Sequence, residues 1–229
     1  MIRLGVTGTD TAVGKTVVSA ALVGWLKARG VKIAAMKPIE SGVNDDAKLL
    51  HKASGCSGWF GDVCPVRFDA PLSPFAAASE QGSTINLSRL DAAFARLSRD
   101  RDGILVEGAG GLLVPITQTV SYAQLFARWN LAIIIVAANR LGVINHVLLT
   151  VMAAREQRLD IRGIVLNSVP AANDPKDLSR RSNQKCLQQL LPGVPIIRFT
   201  HVADPRDLSL LIEETEKSGL GKLAISSKH

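Results

Sequence analysis

The sequence predicts a single α/β domain with a mostly parallel central sheet of about seven strands and helices on both faces. Three observations predict it. Short runs rich in Val, Ile and Leu alternate along the 229 residues with longer helical stretches. The runs lack apolar–polar alternation, as strands do when both faces are buried. The first run leads into a glycine-bounded turn and then a helix, the opening of a strand–helix–strand unit with right-handed crossover.

Taken in order, the first strand spans 3–7, and a helix of small and aliphatic residues covers 14–29. A second strand, 31–37, ends at Lys37. Asp45 and Asp46 then open a helix over 45–54, because acidic side chains favour the positive end of the helix dipole. Residues 55–83 hold three prolines and four glycines and are the least regular part, expected to be a surface excursion lining a site. Asn86 and Ser88 offer caps for a helix at 87–98, followed by a strand at 103–107 and a helix at 122–129. The strand at 131–137 is wholly apolar and far too short to span a bilayer. A helix at 143–157 and a strand at 161–167 follow. Asp174 and Pro175 mark the start of a helix at 176–191, and the chain closes with a strand at 195–199 and a helix from about 205 to 217. No internal repeat and no linker divides the chain, so residues 1–229 read as one domain.

Composition bounds the function. Hydrophobic content of 47% supports a substantial core, whereas aromatics reach only 4%. The net charge of +7 suits anionic ligands. Lys and Arg are nevertheless scattered, with no basic arm and few aromatics for base stacking, so nucleic acid is not the expected partner. The three cysteines, Cys56, Cys64 and Cys186, form no C-x-x-C pair and read as free thiols of a reducing compartment. The first strand begins almost at once and leaves no room for a secretory leader, so the expected location is the cytoplasm, away from membranes.

In open parallel sheets ligands bind beyond the carboxyl ends of the strands, and polar residues gather at those ends here. Residues 8–16 read Gly-Thr-Asp-Thr-Ala-Val-Gly-Lys-Thr. Between a strand and a helix this is a phosphate-binding loop, which makes the domain a P-loop fold. Backbone N–H groups curl around the phosphates, Lys15 reaches the terminal ones, and the Thr16 hydroxyl suits Mg²⁺. The loop departs from the usual spacing, since Thr9 stands at the customary glycine and the glycine is Gly8.

Glu107 ends an apolar strand and is followed by Gly108, Ala109, Gly110 and Gly111. It is placed to hold Mg²⁺ beside Thr16, or, more plainly, to cap the following turn. Lys37 either neutralises charge on a transferring phosphoryl group or snorkels at the sheet edge. Asp45 and Asp46 are metal candidates or simple helix openers. Gly142, Val143, Ile144 and Asn145 start a helix whose N–H groups suit a substrate carboxylate, or start an ordinary helix. His146 and His201 lack metal partners at suitable spacing and read as packing or hydrogen-bonding residues, and Cys186 as structural.

Four motifs carry a family likeness: Gly-Thr-Asp-Thr-x-Val-Gly-Lys-Thr at 8–16, Lys-Pro-x-x-Ser-Gly at 37–42, Val-Glu-Gly-Ala-Gly-Gly at 106–111 and Leu-Gly-x-Ile-Asn-His at 141–146. In this order and over nearly the whole chain, the sequence resembles the dethiobiotin synthetases. The resemblance implies an ATP- and Mg²⁺-dependent ligase of biotin biosynthesis that joins CO₂ to 7,8-diaminononanoate and closes the ring through a carbamate and a carbamic–phosphoric anhydride. It implies that Lys15, Lys37, Thr11 and Ser41 serve the reacting groups. Asp10, Thr11, Ala12, Val13, Gly14, Lys15, Thr16 and Val17 would meet the nucleotide phosphates. Glu107, Gly108, Ala109 and Gly110 would line the same site, and Asn167, Thr200, His201 and Val202 would meet adenine. Thr16, Asp46 and Glu107 would hold Mg²⁺. Lys37 and Ser41 would meet the substrate, together with Gly142, Val143, Ile144 and Asn145 from a neighbouring subunit, so a homodimer is implied.

Ala12 stands where the family often has Glu, and Ser168 where it often has Asp. One alternative is a nucleotide-dependent switch ATPase of the partitioning type. Those proteins carry an extra lysine near the loop's start, where this chain has Asp10. An amidoligase of the cobyrinate type would bring a glutaminase domain for which there is no room.

Overall fold

Residues 1–55, 59–170 and 176–225 are described by a computed structural model. Cys56, the Asp174–Pro175 helix signal and the last four residues lie outside them. The elements in chain order are β1 (Ile2–Gly8), α1 (Lys15–Ala28), β2 (Ile33–Met36), β3 (Ile39–Ser41), α2 (Asp46–Ser54) and α3 (Phe60–Val63). Then come β4 (Val66–Phe68), α4 (Pro74–Glu80), α5 (Leu87–Ser98), β5 (Gly103–Gly111), α6 (Tyr122–Arg128) and β6 (Ala132–Ala138). The chain ends with α7 (Val143–Glu156), β7 (Ile161–Asn167), α8 (Ser179–Leu190), β8 (Ile196–Phe199), α9 (Leu208–Ser218) and α10 (Lys222–Ile225).

The central sheet is parallel throughout, in the order β2-β5-β1-β6-β7-β8. It has six strands where the sequence suggested about seven, and a separate two-stranded parallel sheet joins β3 to β4. The second strand also stops at Met36, short of Lys37. The cause is local. The Lys37 N–H donates to Val63 O at 2.8 Å, and the Pro38 carbonyl accepts from Val66 N–H at 3.3 Å. Pro38 has no N–H for a ladder, so the chain leaves β5 and pairs with the next segment instead. The stretch 55–83 accordingly contains α3, β4 and α4, elements too short to show periodicity in sequence.

Alternation within the buried strands sorts side chains to two cores. Ile133, Ile135 and Ala137 of β6 face the core shared with α5 to α8, and Ile134, Val136 and Ala138 face the one shared with α1, α2 and α9. In β5, Ile104 and Val106 join the first core and Leu105 the second. The same period of two sends Glu107 to the α1 face, where Thr16 opens the helix. Gly5 of β1 lets Phe126 of α6 approach, since a Cβ there would stand 3.0 Å from its ring.

Local signals set the helices. α5 buries Leu90, Ala93, Phe94 and Leu97 along one stripe, and its N-cap Asn86 accepts from Arg89 N–H at 3.2 Å. Phe94 stacks on Trp129 with centroids 4.5 Å apart, and its truncation to Ala would cost about 3–5 kcal/mol. α6 starts with a Ser121–Gln124 capping box. Among the described residues no helix is long and apolar enough to cross a membrane.

Candidate active site

The strand order explains why distant residues meet. β5 lies between β1 and β2, so the carboxyl-terminal parts of these strands bring the phosphate loop, Glu107 and Lys37 side by side, with Glu107 inside β5, which runs on to Gly111 rather than ending at 107 as the sequence suggests. The loop from Thr9 to Gly14 is held at both ends. Thr9 N–H donates to Val136 O at 2.9 Å, and Val13 O accepts from the Asn167 side-chain amide at 2.9 Å. Gly14 has φ +85°, and a Cβ there would lie 2.0 Å from Asn167 Nδ2. Gly8 is needed for close approach, since a Cβ would meet Asp10 O at 2.6 Å and Lys15 Nζ at 3.0 Å. The off-pattern glycine therefore serves the folded-back lysine.

At the crest, Asp10 Oδ1 accepts from Thr11 N–H at 2.7 Å and Asp10 Oδ2 lies 3.8 Å from Arg140. Ala12 takes φ +54°, a left-handed conformation that disfavours non-glycine residues by about 1–2 kcal/mol. Val17, in the first turn of α1, packs against the α1-side core.

Lys15 is 7% exposed and donates to Asp10 O at 3.0 Å. Burial pulls its pKa below the ordinary lysine value, against an opposing pull from Glu107. Lys37 is also buried, which lowers its pKa, but the Glu107 and Asp46 carboxylates outweigh that and hold it above the usual range. Its ammonium lies 2.6 Å from Glu107 Oε1 and 2.6 Å from Asp46 Oδ2. Thr16 donates its hydroxyl to the same Glu107 oxygen at 2.8 Å. Glu107 Oε2 is buried and has no hydrogen-bond partner. Oxygens of Asp46 and Glu107 thus flank the Lys37 ammonium, Thr16 joins them through Glu107 Oε1, and an orphaned carboxylate oxygen remains. This hard-oxygen set fits Mg²⁺, with Asp46 rather than Asp45 turned inward, since Asp45 pairs with Lys48 at 2.7 Å.

A cleft of about 340 Å³ opens beside this cluster. Thr11, Ala12, Lys15, Lys37, Ser41 and Asp46 line one part of it. Ala109 and Gly110 continue the wall, and Gly110, at φ +64°, lets Val114 approach. Gly108 sits beneath, against the Tyr122 ring, which a Cβ would meet at 3.3 Å. The Ser41 hydroxyl is buried and has no hydrogen-bond partner.

The remaining expected residues lie elsewhere on the same edge. Asn167, 4% exposed, ends β7 and braces the phosphate loop. Thr200 follows β8, its N–H accepted by Glu214 Oε1 at 2.9 Å, with His201 exposed and Val202 buried. Gly142, at φ +90°, caps α7, and neither it nor Val143, Ile144 or Asn145 lines this chain's own cleft. The turn before α7 is anchored by Asp177, which accepts from Leu141 N–H at 2.8 Å, and by Asn183, which donates to Asn139 at 2.9 Å.

Sequence reasoning missed Asn44, Pro71, Leu72, Ser73, Pro74 and Val114, which complete the cleft. It also missed Glu40 and Arg67, which pair at 3.0 Å behind it. A carboxylate next to Ile39 in a short apolar run was the available signal for Glu40.

A family described as an AAA domain matches residues 3–197. The ATP-dependent dethiobiotin synthetase of Aquifex aeolicus is 39% identical over 212 residues, covering 90% of this chain and 94% of that protein. The one from Anaeromyxobacter dehalogenans 2CP-C is 41% identical, covering 86% and 92%, and the one from Bacillus subtilis 168 is 36% identical, covering 85% of each. Among solved structures, a nucleotide-binding protein of Archaeoglobus fulgidus in complex with ADP is similar in fold, with a TM-score of 0.52, 14% identity and coverage of 100% of this chain and 93% of that one.

Proposed function

This chain belongs to the ATP-dependent dethiobiotin synthetase family, and from that premise we propose that it closes the ureido ring of dethiobiotin from 7,8-diaminononanoate, CO₂ and ATP at the cleft beside Lys37. The observation that carries the reading is the Lys37 ammonium, buried and 2.6 Å from two carboxylates at the mouth of a phosphate loop.

In this reading one substrate amine takes up CO₂ and releases a proton, giving a carbamate. A carbamate oxygen attacks the γ-phosphorus, and ADP leaves. The second amine attacks the carbamoyl carbon of the anhydride, phosphate leaves with the former carbamate oxygen, and the nitrogen loses its proton. No protein nucleophile is needed, so catalysis consists of positioning and charge neutralisation. Lys15 holds the terminal phosphates, and Lys37 meets the carbamate and the moving phosphoryl group. Thr11 and Ser41 donate to phosphate or carbamate oxygens. The loop from Asp10 to Val17 and the turn from Gly108 to Gly110 surround the polyphosphate. Asn167, Thr200, His201 and Val202 border the base. Thr16, Asp46 and Glu107 would hold Mg²⁺, which neutralises charge on the transferring phosphate.

A homodimer completes the site. α7 exposes Leu149 by 56% and Met152 by 65%, and Leu141 just before it by 79%. A second copy covering that face would bring the α7 start, with its N–H groups, to the substrate carboxylate. Among the described residues that line the cleft, Lys15 and Lys37 are the only cations, and both belong to its phosphate end.

Incubation with Mg-ATP, bicarbonate and the diamine, following ADP release, tests the reading. ADP release should depend on the diamine. Release that ignores the diamine but responds to DNA or a protein would support the switch ATPase instead.

A further inference from the structure

We propose that Glu40 and Arg67 form a positioning pair that holds the cleft wall carrying Asp46, a role that rests on the metal and substrate assignments made above. Glu40 is 1% exposed, an unusual place for a carboxylate. It stands opposite Arg67 in the register of the small β3–β4 sheet. Its Oε1 accepts from Ala47 N–H at 3.0 Å, and its Oε2 lies 3.0 Å from Arg67 Nη2. The same guanidinium nitrogen donates to Asn44 O at 3.3 Å.

The start of α2 therefore takes its side-chain cap from Glu40 of the preceding strand, β3. The local N-cap, Asp45, makes no side-chain cap and pairs with Lys48. An ion pair between the buried Glu40 carboxylate and the exposed Arg67 guanidinium thus ties down both the Asn44 carbonyl and the Ala47 N–H. Between and beside these anchors lie Ser41, Asn44 and Asp46, and all three line the cleft. Asp46 is the residue that reaches Lys37. A buried carboxylate is costly unless paired, and an apolar side chain would fill the space as well. What the carboxylate adds is a fixed start to α2, and with it a fixed Asp46. Partners behind a metal ligand act in this way, and their removal lowers metal affinity or activity by about 10- to 100-fold.

The test compares Glu40→Ala, Glu40→Gln, Arg67→Ala and Asp46→Asn in the full-length protein. Mn²⁺ binding in the presence of ADP is titrated by electron paramagnetic resonance, beside the Mg²⁺ concentration for half-maximal turnover and the affinity for metal-free ADP. Glu40→Ala should weaken Mn²⁺ binding by about tenfold or more and raise the diamine KM, with metal-free ADP affinity unchanged. Glu40→Gln keeps an acceptor for Ala47 N–H and should recover most of the loss. Arg67→Ala should fall between the two. Unchanged Mn²⁺ binding in Glu40→Ala, with Asp46→Asn impaired, overturns the positioning role and leaves the metal assignment standing. Unchanged Mn²⁺ binding in Asp46→Asn overturns the metal assignment and this proposal with it. Should Glu40→Ala not fold, Glu40→Gln and Arg67→Ala decide, and unaltered Mn²⁺ binding in both overturns the proposal.

Discussion

Lys15 and Lys37 line one cleft, yet their pKa values move in opposite directions. Burial disfavours both ammonium groups, but Lys37 has two carboxylates at 2.6 Å while Lys15 donates to a neutral carbonyl. The Lys37 charge therefore stabilises the fold below its unfolded pKa of about 10.4, and that contribution is lost as pH rises through its raised folded value. Lys15 has the opposite sign. Its buried charge opposes folding at neutral pH, and the penalty is relieved as pH rises above its lowered value. Nucleotide phosphates would restore the Lys15 charge. Binding should take up protons at alkaline pH, increasingly so as pH approaches the lowered Lys15 pKa. Calorimetry of ATP binding in buffers of different ionisation enthalpy checks this, and proton release or no exchange would contradict it. Lys37→Ala should reduce turnover by about a hundredfold or more with only a modest loss of ATP affinity. It also strands Glu107 and Asp46, so its melting temperature should fall and be largely restored by Mg²⁺. Retained turnover would show that Lys37 is peripheral.

Among the elements, α7 carries the clearest unpartnered surface. Its buried side, Val143, Val147, Val151 and Ala154, follows helical spacing and faces the core. Leu149 and Met152 lie off that stripe and are exposed. Leu149→Lys should yield a monomer by sedimentation and raise the diamine KM while leaving ATP affinity unchanged. A variant that remains dimeric, or a monomer with unaltered KM, would remove this helix from the substrate site. The long elements were legible in the sequence because buried parallel strands and their helices carry strong local signals. The 55–83 stretch was not, because strands and helices of a few residues have no period to read. β2 is shorter at both ends than the sequence suggests, because Val31 N–H bonds back to Leu26 O at the end of α1 and Lys37 and Pro38 turn away toward α3 and β4, bonds set by tertiary contacts. Asn167 was read through the likeness as a base contact, but its link to Val13, across 154 positions, is invisible in spacing. Glu40 escaped notice for the same reason, since its partners Ala47 and Arg67 meet it only after that small sheet forms.

At the scale of the molecule, the sheet order gathers the chemistry. Residues 15, 37, 46 and 107 meet because β5 sits between β1 and β2 and all the strands run the same way. That rim is where a parallel sheet exposes strand ends and helix starts together. The motifs pointed to the phosphate loop, Lys37 and Glu107, and the family likeness to Asp46, but the burial of Lys37 was not readable from them. Nor were their contact distances, since they depend on which strands neighbour one another. In the proposed reaction this rim activates a carbamate by phosphorylating its oxygen. The most direct measurement supplies freshly dissolved CO₂ labelled with oxygen-18, quenches a single turnover before the label exchanges with water, and weighs the released phosphate and the ring product. Label in both phosphate and the ureido carbonyl is the predicted result. Unlabelled phosphate, with dethiobiotin still formed, would contradict a phosphorylated carbamate and the roles assigned here to Lys15 and Lys37.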